Sequence, residues 1–335
     1  FDDDFVDWTT PGGARYRVLL KPTHATMKDT LSRLINPTER HFFVIFSDDS
    51  CYARRLPNGQ VFNCNVDIKT CDVSHTSAVF ESLRDVYPQH VRPDVQILID
   101  QCCAPLQLVA PETGRMRVRL RPKGPTLYSG STLTTNLNSY ASLVGLGPAL
   151  VNCPTVRPTD LAIAVRSTGY LIEIEPCEIP EDISFLKHGP VLVNGEWEPF
   201  LHLGVLLRAS GVCRGDLPGR GSLLNRAKYF QQQLLSSIYP SSSFPLLTVL
   251  QKLCHGTVSV SERTEKQVAA LLTDVRRKPL VASATVSFSS AAIAKRYRLE
   301  EAQMHSFNCL LREAGPGSAV RHTVSRVILA RDYSL

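Results

Sequence analysis

The stretch from 41 to 72 admits very few foldings. It begins with HFFVIF, a short run of β-branched and aromatic residues that reads as a strand, closed by the polar Ser47-Asp48-Asp49. The chain returns through 50–56, and Pro57-Asn58-Gly59 is a strong turn signal. A third strand, 60–67, then runs back alongside. At about 3.3 Å per residue, roughly seven residues out and seven back bring Asp67 level with Asp48 and Asp49. The expectation is a three-stranded meander with three carboxylates at one end of a sheet.

Three like charges in close quarters repel, and some would protonate unless a cation stood among them. A hard divalent ion with oxygen ligands, Mg²⁺ above all, removes the conflict. Two such ions about 3.5–4 Å apart are the usual clamp for in-line displacement at phosphorus. An exposed Asp-Asp turn and an unrelated Asp at a strand end account for the same residues. Taken alone, the residues leave both readings open.

Composition narrows the class. A chain of 335 residues is long enough for two or three subdomains with their own cores. An apolar fraction of 43% and a charged fraction of 20% are ordinary for a soluble globular protein. No apolar run approaches the roughly 18–20 residues of a spanning helix. The start, Phe1 followed by Asp2-Asp3-Asp4, reads as a fragment or a processed product. A net charge of +6 suits an anionic polymer without requiring one. The ten cysteines are scattered, with no CxxC pair and no Cys/His spacing of the zinc type. Reduced, mostly buried thiols of a cytosolic protein are the better reading.

Elsewhere the periodicity predicts helices over 27–35, ending before Asn36-Pro37, over 74–86, and over 95–108 with an interruption near Pro105. Arg15 and Arg17 share one face of an extended segment, where they meet phosphates or simply solvent. From 115 to 121 the alternation is strict: Arg115, Arg117, Arg119 and Arg121 line one strand face and Met116, Val118 and Leu120 the other. Four like charges in a row destabilise a lone strand. A polyanion or a triphosphate along that face relieves the repulsion; a solvated edge strand is the alternative. The cluster Ser129-Gly130-Ser131-Thr132 suits a loop running into a helix, with Leu133/Leu137 and Thr134/Asn138 as stripes four residues apart. Such a Thr/Asn stripe suits either an ordinary helix start or the reading of sugar hydroxyls. The segments 161–166 and 170–175 flank a turn, 183–187 reads as a short strand, and Asn194-Gly195 marks another turn. Beyond Gly204 helical periodicity takes over, at 223–236, 245–253, 262–276 and 291–311. The glycines between 204 and 221 lack the Gly-Lys-Ser/Thr ending of a phosphate-binding loop and read as turns.

The spacing Ser129-Gly130-x-x-x-Thr134-x-x-x-Asn138 resembles motif B of viral RNA-dependent RNA polymerases. Asp67-x-x-x-x-Asp72 is similar to their motif A, and Ser47-Asp48-Asp49 between two strands to their motif C, commonly Gly-Asp-Asp. Gly169-Tyr170 and Ser184–Lys187 are similar to motifs D and E. The usual order is A, B, C; here it is C, A, B. That order resembles the permuted polymerases of permutotetraviruses and, more distantly, birnaviruses, whose motif C has Asn where this chain keeps its second Asp. The permutation is physically harmless, because a tight turn links neighbouring strands of one sheet whichever way the chain is threaded.

The resemblance implies an α+β, right-hand polymerase fold. Residues 1–40 would be a fingers-associated segment, 41–200 a permuted palm with an antiparallel sheet and a fingers insertion, and 201–335 a helical thumb, with the fingers incomplete. Asp48, Asp49 and Asp67 would hold two Mg²⁺ (or Mn²⁺) ions. Asp72 and Asn138 would read the ribose 2′-hydroxyl, supported by Ser129, Gly130 and Thr134. Lys187 would lie near the primer backbone, with the 115–121 arginines as further RNA or phosphate contacts. No lysine stands where relatives keep a motif D proton donor. Template and primer RNA, ribonucleoside triphosphates and other viral replication proteins are the implied partners, and the host cytoplasm the implied location. The rivals are a metal-dependent nuclease using the same carboxylates and a non-catalytic RNA-binding module using the arginine strand.

Overall fold

In the computed structural model, the run His41–Phe46 is a central strand of a six-stranded sheet. Its residues 41–45 are all buried, as a continuous apolar strand covered on both faces should be. The structure describes residues 4–20, 22–109, 116–128, 130–210, 221–238, 258–271, 288–314 and 320–333. In chain order, the first elements are β1 (Phe5–Thr9), β2 (Ala14–Leu19), α1 (His24–Ile35), β3 (His41–Phe46), β4 (Asp49–Arg55) and β5 (Val61–Ile68). Then come α2 (Cys71–Ser74), α3 (Ser77–Val86), α4 (Arg92–Cys103), β6 (Leu106–Val109), β7 (Met116–Leu120) and α5 (Thr134–Ala141). A π-helical turn, Ser142–Leu146, leads into α6 (Gly147–Asn152), α7 (Pro158–Arg166) and β8 (Ile172–Cys177). The last part holds β9 (His188–Val193), β10 (Glu196–Leu201), α8 (Leu203–Ser210), α9 (Leu223–Ile238), α10 (Glu262–Leu271), α11 (Ser290–Ala294), α12 (Glu301–Glu313) and α13 (Thr323–Tyr333).

The fold is mixed α+β, and the chain divides into two compact units. One comprises Val6–Leu20 and Pro37–Pro176; the other gathers the described residues of Phe1–Phe5, Lys21–Asn36 and Cys177–Leu335. The first unit carries the large sheet, in strand order β1-β2-β3-β4-β5-β8. The meander β3-β4-β5 is antiparallel throughout, whereas β2 and β3 run parallel. The sheet is therefore larger than the small antiparallel one expected, because 14–19 joins it and reaches β3 by a crossover through α1. On one face Tyr16, Phe43, Tyr52, Cys64 and Val66 pack against Ala141, Leu146, Leu150, Leu161 and Val165. A second core, of Phe80, Leu83, Val95, Ile99, Leu127, Leu133 and Leu137, seats α3, α4 and α5 on one another.

Five local expectations change. The helix expected over 95–108 ends at Cys103, and 106–109 forms a hairpin strand with 116–120. The helix expected over 74–86 starts only at Ser77, as α3, after a break at His75–Thr76 that separates it from the short α2. The short strand expected over 183–187 is a tight turn, with Leu186 and Lys187 at positive φ and a single bridge from Phe185 to His188. Arg15 and Arg17 face neither phosphates nor open solvent: both bind Asp7, at 2.6 and 2.8 Å, and Arg17 is 1% exposed. A short alternating sequence does not show that the matching carboxylate lies eight and ten residues upstream. The helix expected over 291–311 is interrupted near Arg298, at φ 53°, and forms α11 and α12. The helix expected at 245–253, and the part beyond Leu271 of the one expected over 262–276, lie outside the described residues.

The second unit is a β9–β10 hairpin with helices packed around Phe200, Leu203, Leu206, Ile293, Tyr297, Phe307 and Ile328. Its centre is ionic. Asp332 accepts from Arg296 Nε at 3.2 Å, from Tyr297 Oη at 2.9 Å and from the Gly204 amide at 2.8 Å. Among the described residues, no helix is long and apolar enough to cross a membrane.

Candidate active site

Strand alternation decides where the carboxylates go. Along β5, Cys64, Val66 and Ile68 are buried, so Asn63, Asn65 and Asp67 take the other face and Asp67 is exposed. The β4–β5 register sets Asp49 directly opposite Asp67. Residues directly opposite on antiparallel strands share a face, with Cβ atoms about 4.5–5.5 Å apart. Asp48 sits next to Asp49 in the two-residue loop that joins Phe46 to Asp49. The first loop residue, Ser47, has φ 56°, as primed hairpin turns require of that position.

Helix α5 fixes this loop. The Ser47 amide donates to Ser139 Oγ at 2.8 Å, Ser142 Oγ donates to the Ser47 carbonyl at 3.4 Å, and Asn138 Nδ2 lies 3.4 Å from Ser47 Oγ. Leu133 and Leu137 bury the opposite side of α5, which commits Asn138 to face the loop. The π-helical turn after α5 gives it one extra residue, a local irregularity often found at functional sites.

Asn138 is 1% exposed, and its Nδ2 donates to Asp72 Oδ1 at 3.0 Å. Behind it stands His75, whose Nε2 is 2.8 Å from Asn138 Oδ1 and whose Nδ1 is 3.0 Å from Tyr170 Oη. Burial holds the His75 imidazole below its ordinary pKa. Cys71 reports the nearness of three of these carboxylates. Burial, and then the charges of Asp48, Asp72 and Asp67, push its thiol up to about 12. Those three carboxylates thus act together on one buried sulfur.

Other predicted residues have different settings. Thr134 Oγ1 donates to the Tyr128 carbonyl at 3.2 Å, tying down the loop before α5, and Gly130 in that loop has φ 88°. Arg119 and Arg121 are exposed, and so are Val118 and Leu120 on the opposite face of β7. Arg115 and Ser129, like the Arg117 side chain, lie outside the described residues. Lys187 belongs to the second unit, where Nζ donates to the Asp332 carbonyl at 3.1 Å and lies 4.9 Å from the Tyr333 ring centroid. His75, Ser139, Ser142 and Cys71 escape sequence reasoning. The i, i+4 spacing of Cys71 and His75 was the available signal, but it straddles the end of α2.

Among the described residues, no three Asp, Glu, His or Cys side chains stand as a ready-made metal ligand set. The donors still suit a hard cation: carboxylate oxygens on one strand pair, exposed or half-buried, with a third carboxylate beside them in the loop.

No protein-family model matches the chain, and no curated protein matches it. Among solved structures, it is similar to a chain of the birnavirus VP1–VP3 complex, with a TM-score of 0.44 and 11% identity, over 92% of this chain. It spans 46% of the length of that chain.

Proposed function

We propose that this chain is the core of a permuted viral RNA-dependent RNA polymerase, which extends a primer with ribonucleotides on an RNA template. The observation that carries the reading is the opposition of Asp49 and Asp67 across β4–β5, beside an Asn138 bonded to Asp72. In a motif order of C, A, B, a hairpin is what brings the first two motifs together. On this reading the sheet-bearing unit is the palm with a fingers insertion, and the helices beyond Leu203 are the thumb.

Asp48, Asp49 and Asp67 would hold two Mg²⁺ or Mn²⁺ ions. When bound, these would activate the primer 3′-hydroxyl and neutralise charge on the triphosphate. A bond forms from the 3′-oxygen to the α-phosphorus as the α–β bridging bond breaks, and pyrophosphate leaves. Asp72 supplies a carboxylate acceptor for the ribose 2′-hydroxyl, the group that separates ribo- from deoxyribonucleotides. Asn138 orients that carboxylate from its buried side. Gly130, at a φ that side chains rarely adopt, shapes the loop that would pass the incoming nucleotide, with Ser129 and Thr134 beside it. Arg119 and Arg121, with Arg115 and Arg117, would follow RNA phosphates, and Lys187 would lie near the primer.

The test is incorporation of labelled ribonucleotides on a primed RNA, with Mg²⁺ and with Mn²⁺, by wild type and Asp67→Asn. Template-dependent extension that vanishes in the variant supports the assignment. Extension that survives in the variant removes Asp67 from it. Absence of template-dependent extension by wild type overturns the reading for this chain.

A further inference from the structure

We infer that His75 is the positioning residue for ribose selection, holding the Asn138 amide in the one orientation that presents its N–H to Asp72. The inference rests on reading Asp72 and Asn138 as the ribose-contacting pair.

The chemistry of the atoms leaves little choice. The Asn138 side-chain oxygen only accepts, so His75 Nε2, at 2.8 Å, must carry the proton. In the neutral ring, Nδ1 is then an acceptor, and Tyr170 Oη at 3.0 Å supplies its hydrogen. Tyr170 is suited to this, since burial pushes its phenol up to about 12 and keeps the proton on oxygen. Were the amide turned over, its NH₂ would face the protonated Nε2 and its oxygen would face the Asp72 carboxylate. The Asp72 end would lose a hydrogen bond to a charged acceptor, and the His75 end could keep its own only by moving the ring proton to Nδ1 and turning the Tyr170 hydroxyl into an acceptor.

The ring has no freedom to abandon this role. Phe80, fully buried, meets it edge-on at 6.4 Å between centroids, and Tyr170 does so at 5.9 Å. Tyr170 is itself seated against Gly145 of the π-helical turn, where a Cβ would come within 3.0 Å of the phenol ring. A continuous line therefore runs from Gly145 through Tyr170, His75 and Asn138 to Asp72, and all but Asp72 is buried. Without His75, the Asn138 oxygen is buried with no donor, and its side chain has reason to rotate away from Asp72.

The test compares primer extension with ATP and with 2′-deoxy-ATP as kcat/KM ratios, for wild type, His75→Phe, His75→Gln, Tyr170→Phe and Asn138→Ala, with thermal melts alongside. His75→Phe should lower the ribo/deoxy ratio about tenfold, through a weaker ribonucleotide KM, with the deoxynucleotide rate within about twofold of wild type. His75→Gln, whose amide N–H can occupy the Nε2 position, should restore the ratio to within about threefold. Tyr170→Phe, which only loosens the tautomer, should fall between them. An unchanged ratio in His75→Phe while Asn138→Ala loses it, or an equal loss on both nucleotides, would overturn the inference. If His75→Phe does not fold, the ordering of wild type, His75→Gln and Tyr170→Phe decides. Failure of wild type itself to extend a primed template, or to prefer ATP, would count against the polymerase reading instead.

Discussion

Asp49 and Asp67 are Cα partners on adjacent antiparallel strands of one hairpin, two acidic side chains facing each other across the ladder. Like charges directly opposite in a sheet cost stability, typically about 0.2–1 kcal/mol. Asp67→Asn should therefore unfold at a urea midpoint equal to or above wild type, while template-dependent extension falls by at least about a hundredfold. A variant that is both more stable and inactive identifies a pair retained for function. A destabilised Asp67→Asn would instead mean that this carboxylate serves the fold.

Ser47 shows a similar conflict in the backbone. At φ 56° a residue with a Cβ bears about 1 kcal/mol of strain that glycine does not. The backbone bonds from Ser47 to Ser139 and Ser142 need no side chain, and the hydroxyl adds only a long contact to Asn138. Ser47→Gly should raise stability by about 0.5 kcal/mol and leave extension within a few-fold. Ser47→Val, branched at a position that tolerates no branching, should lower stability by about 1–2 kcal/mol. Urea unfolding of the two variants measures both effects.

The meander was legible because it is local. A strand, a turn chemistry and a strand length fix which residues stand level, and no long-range fact is needed to place Asp67 opposite Asp49. The network behind Asp72 was not legible for the opposite reason. Asn138, His75 and Tyr170 come from α5, the α2–α3 break and the link between α7 and β8, and packing alone joins them. Arg17 makes the same point: its alternation with Arg15 suggests an open basic face, yet Asp7, on the neighbouring strand, consumes it. The missed turn at 183–187 is a third case, where an apolar composition overrode two consecutive positive-φ residues that periodicity cannot reveal.

Gly147 is required by space. A Cβ there would lie 2.5 Å from Tyr16 Cε1, and Tyr16 is held between the stacked Trp8 ring and the edge of Phe43. The ring cannot retreat without disturbing the sheet face it covers. Gly147→Ala should cost about 1–3 kcal/mol, the usual penalty for overpacking a filled core. Combining it with Tyr16→Leu, which shortens the obstructing side chain, should give a smaller loss than the two single changes added together. Equilibrium unfolding of the double-mutant cycle reads this directly.

Acid stability should depend on His41. Its imidazole is buried, 2.7 Å from Tyr52 Oη, and burial followed by the charges of Arg54 and Arg40 lowers its pKa from 6.5 to about 4. Between those values the unfolded chain binds a proton that the folded chain refuses. Stability is thus full above about pH 6.5 and is lost as pH falls towards 4, by up to about 1.4 kcal/mol per pH unit. His188, buried in the second unit and also lowered to about 4, adds a contribution of the same sign. Unfolding free energy followed from about pH 7 to about pH 4.5 should slope downward, and His41→Gln should flatten the slope even though it lowers the plateau.

The arginine strand offers a test that does not depend on catalysis. Arg119 and Arg121 are exposed at the end of a two-stranded hairpin whose apolar residues Val118 and Leu120 are exposed as well. A strand exposed on both faces contributes little to the core, so charge reversal there should leave the fold intact. If these guanidinium groups neutralise RNA phosphates, the double variant Arg119→Glu/Arg121→Glu should bind single-stranded RNA at least about tenfold more weakly at low salt. The slope of log affinity against log salt should shrink by about 0.7 for each phosphate that is no longer neutralised. Fluorescence anisotropy at several salt concentrations separates the cases. Weaker binding with a reduced slope places phosphate along β7, whereas an unchanged slope makes the alternation a solvated edge and moves the search for the RNA path elsewhere.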